Sequence, residues 1–250
     1  MRIDDTVFWG GYGDEGFFID AEGFEGWEDT PDARYEEIVV PGADGSYDSE
    51  TELAARLLIV TGKCVTKLGP DKLGWYGRRL TGLLQGKKRV HVDYQGLQSF
   101  ADGRLASAVK FRTSLPGREA RFQFSLRFHN PRKFGAKVPL AVTGPGATQE
   151  IFHHGNTTAY PQLVVRGTMP GYRIEGPDST WSIARAVTPA TPHLLDTATG
   201  VLSENGNVPL ASIRSGSGWG IPPGRIFNTH RLIPDSGSGT LETVLYDTYL

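Results

Sequence analysis

Cysteine, methionine and long apolar runs are scarce in this chain of 250 residues, which contains one cysteine and two methionines. A single cysteine excludes an intramolecular disulfide and a multi-cysteine metal site, and we expect Cys64 to be a small buried residue on a strand. No window approaches the ~18 apolar residues of a membrane-spanning helix, and the segment Met1–Asp5 lacks the apolar core of a signal peptide. We therefore expect a soluble protein that is made in a cytosol and does not insert into membranes.

An excess of charge of either sign is also missing, because the net charge is −2 and the isoelectric point is about 6.3. This balance gives no electrostatic signal for binding of nucleic acid or of an anionic membrane. The hydrophobic fraction of 38% is low, whereas 32 glycines and 16 prolines are many. Such a composition is typical of short strands joined by turns, and the length favours two domains that each have their own core.

A turn followed by an apolar run, within Pro41–Gly62, is the feature around which we interpret the chain. Asp44–Ser46 consists of turn formers. The run Leu57–Val60, closed by a glycine, predicts a strand covered on both faces, although Leu53–Arg56 leaves a helical start open. Upstream, Tyr35–Val40 reads as a second strand, so we expect the turn to join a pair of strands.

The first thirty residues combine aromatic side chains with many glycines, which predicts an irregular strand or arm that packs on another part of the chain. Gly11, Gly13 and Gly16 match the spacing of a dinucleotide-binding loop. That loop requires a helix whose N-terminal amides hold the pyrophosphate, whereas Phe17–Ile19 follows here and favours a strand. We therefore reject the dinucleotide-binding interpretation.

One helix is predicted over Pro70–Gln85, because proline suits its first position, Asp71 suits the positive end of the helix dipole and Gly86 suits its end. Three glycines within the segment weaken it, so tertiary packing on a sheet must hold the helix. Its apolar residues share one face. They are Leu73, Tyr76, Leu80, Leu83 and Leu84.

Three strands with alternating polar and apolar residues follow, over Arg89–Tyr94, Val109–Arg112 and Ala120–Phe128. In the third, every second residue is apolar from Ala120 onward, which predicts a half-buried antiparallel strand. Leu115–Arg118 contains proline and glycine, which predicts a turn. The last two strands are therefore predicted to form a hairpin.

The alternation stops between Asn130 and Gly146, and we place the domain boundary there, with Phe134 closing the first domain. From Gln149 onward, short apolar segments recur between turns, which predicts a β-sandwich of the jelly-roll or galectin-like kind. Leu241–Tyr249 is predicted as the last strand of this domain, and, because residues 241–250 alternate poorly, a return of this segment to pair with the first domain remains open. The other predicted strands are Ile151–Phe152, Pro161–Arg166, Tyr172–Ile174, Trp181–Ala184, His193–Leu195, Val208–Ile213 and Ile226–Leu232.

Residues that could bind a metal do not form a recognisable pattern. His153 and His154 are adjacent and would lie on opposite faces of a strand, which prevents them from sharing one metal ion. Asp44, Asp48 and Glu50 resemble a calcium loop only loosely, because the glycine at the sharp turn is misplaced. We expect these acidic residues to belong to a solvated turn.

Three further candidates are weak for similar reasons. Gly82–Lys87 is one residue short of a phosphate-binding loop and ends a helix instead of starting one. His129–Arg132 approaches a galectin sugar-binding motif but lacks its spacer residue. Trp181 and Trp219 could stack on a sugar, although a place in the sandwich core is favoured. The sequence therefore predicts no catalytic, cofactor-binding or metal-binding residues, and we expect neither an enzyme nor a bound cofactor.

The order of features along the chain nevertheless carries information. An acidic N-terminus, a strand, a Gly-Asp-Gly turn with Tyr47–Asp48, an apolar strand with glycine at its end and a short helix occur in succession. Later come Asn130–Pro131, the strand Tyr160–Gly167, Leu195–Asp196 and Gly200–Val201. This order resembles that of the distal tail proteins (Dit family) of long-tailed phages with non-contractile tails, and the resemblance spans nearly the whole chain.

The resemblance implies a mainly β protein, with an N-terminal β-barrel-like domain that carries one helix at residues 1–134 and a galectin-like or jelly-roll sandwich at residues 135–250. It also implies a structural virion protein, made in the cytoplasm of a bacterial host, that forms a hexameric ring at the distal end of the tail tube. Such a ring joins the tube to tip, baseplate and receptor-binding proteins, and the tape measure protein and then DNA pass its lumen.

Two other functions remain open. The second domain could be a carbohydrate-binding module for host cell-wall glycans. A tail-associated hydrolase would need convergent carboxylates, which the sequence does not reveal.

Overall fold

The computed structural model describes residues 1–34, 38–42, 44–48, 52–114, 117–209 and 213–250, and among these the side chains of residues 214 and 225–227 are not described. The predicted strands Tyr35–Val40 and Val208–Ile213 and the predicted turn Leu115–Arg118 therefore lie partly outside the described residues. The chain divides into two compact units, residues 1–133 with Leu250 and residues 134–249. No helix in the described ranges is long and apolar enough to cross a membrane.

The first unit is built from short and medium strands and one helix. Its elements are β1 (Arg2–Ile3), β2 (Thr6–Gly10), β3 (Gly16–Glu25), β4 (Ala33–Arg34), β5 (Glu52–Leu53), β6 (Arg56–Val65), α1 (Pro70–Leu83), β7 (Lys87–Tyr94), β8 (Leu97–Leu105), β9 (Lys110–Thr113) and β10 (Glu119–Phe128). Only the short hairpin of β4 and β5 stands outside the main sheet of this unit's described strands.

Seven of these strands close into a barrel in the order β8-β7-β1-β2-β3-β6-β10, because β10 also pairs with β8. β2 and β3 are parallel, and the other neighbours are antiparallel. One edge of β10 pairs with β6 along the whole strand. Its other edge is shared, since Ala120–Gln123 pairs with β9 and Leu126–Arg127 pairs with β8. The expected barrel-like β domain with one helix is thus confirmed.

The barrel interior is filled by alternate residues of its strands. In β10, Ala120, Phe122, Phe124, Leu126 and Phe128 are buried, whereas arginines at positions between them are exposed. Phe122 and Phe124 pack edge to face against Phe8, and Phe122 also packs edge to face against Phe17, with ring centroids 5.6 to 5.9 Å apart, a favoured aromatic geometry. The alternation predicted for this strand is confirmed, as is its hairpin with β9.

The strand at Leu57–Val60 differs from the prediction in two respects. It is longer, since β6 runs from Arg56 to Val65, and its outward residue Leu57 is 47% exposed, so only one face is covered. Gly62 does not end the strand. A Cβ atom there would lie 2.1 Å from the carbonyl oxygen of Phe18, so glycine is needed where β3 crosses close to β6.

The expected irregular strand that packs on the rest of the chain is present as β3, whose register shifts between Ile19 and Phe24, but the segment supplies more than this one strand. Residues 2–25 supply β1, β2 and β3, three consecutive strands of the barrel, and Phe8 and Phe17 are buried in its core. Two of the glycines, Gly23 and Gly26, allow the close approach of neighbouring backbones, whereas a Cβ atom at Gly10, Gly11 or Gly16 would meet nothing within 4 Å. A Cβ atom at Gly23, for example, would lie 2.1 Å from the carbonyl oxygen of Thr61.

The predicted helix is confirmed and ends two residues earlier than expected, at Leu83. Leu73, Leu80 and Leu84 are buried in the barrel core, and the partly buried Tyr76 and Leu83 pack against the same cluster. The helix packs against β6, as a helix on a sheet should.

Sequence reasoning missed β8, which forms a hairpin with β7. The connection is a two-residue loop in which Gln95 and Gly96 both have positive φ angles, 51° and 83°. Positive φ at both positions is typical of the type I′ turn that matches the twist of a hairpin. Asparagine or aspartate is the usual residue before the glycine, and glutamine gave no such signal.

The second unit consists almost entirely of strands. They are β11 (Lys133–Lys137), β12 (Thr148–His153), β13 (Gln162–Thr168), β14 (Tyr172–Glu175), β15 (Thr180–Ile183), β16 (His193–Asp196), β17 (Val201–Glu204), β18 (Ile213–Ser215), β19 (Gly224–Pro234), β20 (Ser238–Val244) and β21 (Tyr246–Tyr249), with Lys133 assigned to the first unit.

Two antiparallel sheets enclose the core of this unit. One has the order β12-β19-β14-β15-β18 and the other β17-β16-β13-β20. Their inward residues, such as Leu163, Ile174 and Leu232, form one buried cluster. The predicted β-sandwich is therefore confirmed.

The C-terminal segment is two strands instead of one, separated at Leu245. β20 pairs with β13 inside the sandwich, which corrects the expectation of a single strand over residues 241–250. β21 is the neighbour of β11.

Candidate functional site

The two adjacent histidines lie on opposite faces of a strand end, as predicted. His153 is buried, and its Nδ1 accepts a hydrogen bond from the Gly155 amide at 3.0 Å, so its Nε2–H donates to the Ile221 carbonyl oxygen at 3.1 Å. His154 is exposed. Across the described ranges, no group of three or more histidine, cysteine, aspartate or glutamate side chains is arranged to hold a metal ion.

The two tryptophans that sequence suggested for sugar stacking belong to the sandwich core. Trp181 and Trp219 are 1% and 3% exposed. The indole N–H of Trp181 also donates to the Ser217 carbonyl oxygen at 2.5 Å, so its orientation is fixed. Neither ring has a free face on which a sugar could stack, and their place in the core is confirmed.

Other residues that the sequence suggested as possible binding sites lie in turns. Asp44 and Asp48 are exposed, and Glu50 lies outside the described residues. At the end of β10, the side chain of Asn130 accepts a hydrogen bond from the Arg132 amide at 3.1 Å, which makes Asn130–Arg132 a local turn.

A polar network that sequence reasoning missed joins the two sheets of the sandwich. The Tyr172 hydroxyl donates to Nδ1 of His193 at 2.9 Å, and the Nε2–H of His193 donates to Glu204 at 2.9 Å. Arg185 donates to both oxygens of Glu204. Burial lowers the pKa of His193, and the hydrogen bond from Arg185 lowers the pKa of Glu204. Because every member has its partner and Tyr172 is buried, this network holds the fold together and exposes no reactive group.

A second missed feature is the anchor of the segment between β3 and β6. Arg56 is 2% exposed, and its Nη1 donates to the carbonyl oxygens of Gly26, Trp27 and Asp29 at 2.8, 2.8 and 2.6 Å. Its Nε donates to the Pro131 carbonyl oxygen at 3.0 Å. Burial lowers the pKa of Arg56. Because Arg56 follows the segment and Asp29 precedes it, one side chain ties both ends together.

That segment, residues 30–55, is here called the acidic arm. It includes the hairpin of β4 and β5, and Arg34 pairs with Glu52 across it. Ile38, Val39 and Tyr47 are all more than half exposed. Seven of its residues are acidic and one is basic. Exposed apolar side chains on an acidic segment with an anchored base are characteristic of an interaction surface.

The outer face of α1 is another exposed surface. Trp75 is 45% exposed, with Nζ of Lys72 4.0 Å and Cζ of Arg79 5.2 Å from its ring centroid. The Tyr76 ring lies beside the Trp75 ring, with centroids 5.1 Å apart. The Tyr76 hydroxyl donates to Glu15 at 2.8 Å, and burial raises the pKa of Tyr76 to about 12. An exposed indole between two cations suits a contact with another protein.

Comparisons with known proteins identify the fold. Neither a protein-family model nor a curated protein matches the sequence. The Dit protein of phage SPP1, described as a paradigm of the hub of the adsorption apparatus in phages that infect Gram-positive bacteria, superposes with a TM-score of 0.65. The two sequences are 15% identical over 93% of this chain and 94% of the SPP1 chain.

A second similar structure is a chain of the phage P2 baseplate in its activated conformation with calcium. It has a TM-score of 0.51 and 7% identity, and the match covers 86% of each chain. The barrel followed by a sandwich is thus a fold that occurs in phage tail components, and the fold expected from the resemblance to distal tail proteins is confirmed.

Proposed function

We propose that the chain is a structural protein of a phage tail and forms the hub ring at the distal end of the tail tube. The observation that carries this proposal is the match to the SPP1 hub protein, which includes both units and nearly the full length of both chains. A match of one unit alone would support less, because barrels and sandwiches occur with many functions.

The ring is proposed to be a hexamer in which residues 1–134, with the helix predicted over residues 70–85, surround the lumen and the sandwich at residues 135–250 lies outward. Surfaces of the first unit support self-association. β9 ends the main sheet, with β10 as its described neighbour, so its outer edge has free backbone groups that suit further pairing. The acidic arm and the face around Trp75 add exposed apolar side chains.

The proposed partners are the major tail tube protein on one side and tape measure, tip, baseplate and receptor-binding proteins on the other, with DNA passing the lumen without sequence-specific recognition. The proposed location is the tail tip of the virion, after synthesis in the host cytoplasm. The role needs no catalysis and no cofactor. It needs rigid units, which the aromatic barrel core and the fully paired sandwich network provide.

Native mass spectrometry and negative-stain electron microscopy of the purified full chain test the proposal. We expect a hexamer, or two stacked hexamers, with a central opening. A chain that stays monomeric at high micromolar concentration, and also in the presence of the tail tube protein, would contradict the ring.

A further inference from the structure

Charge in the first unit is divided between two consecutive parts of the sequence. Residues 1–55 contain sixteen acidic and two basic side chains, whereas residues 56–133 contain four acidic and seventeen basic side chains. Some opposite charges meet within the chain, for example Lys88 with Asp4 at 2.7 Å and Arg79 with Asp5 at 2.7 Å. Many do not, and the net charge of the protein conceals this separation.

The strand register aligns the positive charges into two rows on the outer face of the barrel. Lys87, Arg104 and Arg127 lie directly opposite one another on β7, β8 and β10. Lys63, Arg121 and Arg112 do so on β6, β10 and β9. Directly opposed residues of antiparallel strands point to the same side, and like charges in such pairs are destabilising. The isolated chain therefore carries an unfavourable arrangement that an acidic partner would relieve.

The lysine at one end of each row already forms an ion pair with a carboxylate of the same chain. Lys63 lies 3.2 Å from Glu119, and Lys87 lies 3.6 Å from Asp102. The four arginines differ, because within the described residues none of them has a hydrogen bond or ion pair with a side chain. Arg104, Arg112, Arg121 and Arg127 are exposed and are called the arginine patch.

A mainly apolar depression of about 370 Å³ lies between the two rows. Its floor comes from the outer faces of β6 and β10, with the exposed Leu57, the half-buried Ile59 and the buried Ser125. It occurs where the edge of β10 changes partner from β9 to β8, and the Ala106 amide donates to the Ser125 carbonyl oxygen there at 2.8 Å. The arginines do not line the depression, but Arg127 lies directly opposite its lining residue Leu57 on the paired strand. An apolar centre flanked by arginines is the composition of a protein interface.

We propose that the arginine patch and this depression bind the acidic arm of a second copy of the chain. The arm offers what the surface lacks, since it has an excess of six carboxylates and the exposed apolar side chains of Ile38, Val39 and Tyr47. Arg56 fixes the base of the arm, which lowers the entropy lost when the arm is bound.

Contact between two different surfaces of identical chains is heterologous, and such contacts close into a ring when the rotation permits. This inference rests on the proposed ring and names the contact that would hold neighbours together. It requires association to weaken with salt, because rim charges are screened.

Photo-crosslinking from the depression tests the inference. The variant Leu57→p-benzoylphenylalanine, prepared with natural and with ¹⁵N isotopes and mixed, distinguishes crosslinks between copies from those within one copy. We expect crosslinks between copies that map to residues 30–55. Adding 1 M sodium chloride, or introducing R121E with R127E, should reduce their yield about tenfold.

Two further variants serve as controls. R78E reverses an exposed charge on the helix, outside the patch, and should leave the yield unchanged. Adding D44R and D48R to the R121E/R127E chain reverses the charge on both sides and should restore the crosslinks. Crosslinks that map to another segment, crosslinks confined to one copy, their absence, or preferential binding of duplex DNA by the patch would each overturn the inference.

Failure of the ring and failure of this contact give different results. A hexamer in native mass spectrometry without crosslinks to the arm would overturn the contact and leave the ring intact. Crosslinks to the arm without any hexamer would retain the contact and overturn the ring.

Discussion

Gly62 on β6 passes beneath Phe18 on β3 so closely that a Cβ atom at position 62 would lie 2.1 Å from the Phe18 carbonyl oxygen. Backbone cannot move aside as the end of a side chain can. The two strands pair on both sides of this point, so any residue larger than glycine would separate them.

Gly62→Ala should therefore destabilise the first unit by about 3 kcal/mol or abolish soluble expression. Gly74→Ala is the matched control, because a Cβ atom there meets nothing within 4 Å on the exposed side of α1. That change should stabilise the chain by up to about 1 kcal/mol through helix propensity. Urea unfolding of both variants checks the pair, and equal effects would contradict the proposed crossing.

Arg56→Ala should lower the free energy of unfolding by about 3 kcal/mol, because it leaves the carbonyl oxygens of Gly26, Trp27 and Asp29 buried with fewer donors. The acidic arm should also become a site of rapid proteolysis, since its base is no longer held. Arg78→Ala, an exposed change on α1, should stay within about 0.5 kcal/mol of the parent. A protected arm in the Arg56 variant would show that other contacts anchor it.

Stability of the sandwich should fall with acid. Burial lowers the pKa of His230 to about 4 and also lowers that of His193. A histidine with a lowered folded-state pKa binds protons more readily when unfolded, so its contribution is complete above pH 6.5 and is lost as the pH falls toward 4. For His230 the full loss is about 3 kcal/mol.

Thermal unfolding followed by tryptophan fluorescence between pH 7.5 and 4.5 measures this loss. His230→Gln cannot titrate and should flatten the dependence while keeping a side chain that can bond to Thr243. If the slope is the same in this variant, groups other than His230 are responsible.

Cys64 should resist thiol reagents in the native protein. It is buried in the barrel, and burial raises the pKa of its thiol to about 12, so very little thiolate is present at pH 8. Reaction with a disulfide reagent should be complete within minutes in 6 M guanidinium and slower by at least about a hundredfold without it. Rapid native labelling would mean that β6 opens frequently.

Periodic patterns of neighbouring residues predicted much of this fold, but they predicted little about the surfaces of the protein. The alternation in β10 and the apolar face of α1 depend on neighbouring residues, so both could be predicted. The roles of Gly62 and Arg56 depend on atoms of distant segments, such as the Phe18 carbonyl oxygen, which no spacing encodes.

The arginine patch could not be predicted from the sequence for a related reason. Arg104 and Arg127 are neighbours only because β8 and β10 pair in one register, and a shift by one residue would place them on opposite faces. The small net charge of the whole chain also concealed the opposite net charges of the two halves of the first unit. Charge counted in windows along the sequence would have revealed this second feature.

The shared edge of β10 determines when the barrel can form. Ile3 pairs with Val90, and β3 pairs with β6. The barrel is nevertheless open until β10 pairs with both β6 and β8. During synthesis, the N-terminal strands therefore cannot complete the barrel until residues as late as Phe128 have been made, and their aromatic faces stay uncovered until then. Such long-range pairing predicts slow folding and dependence on chaperones. The barrel of a nascent chain can close only after most of the first unit has left the exit tunnel.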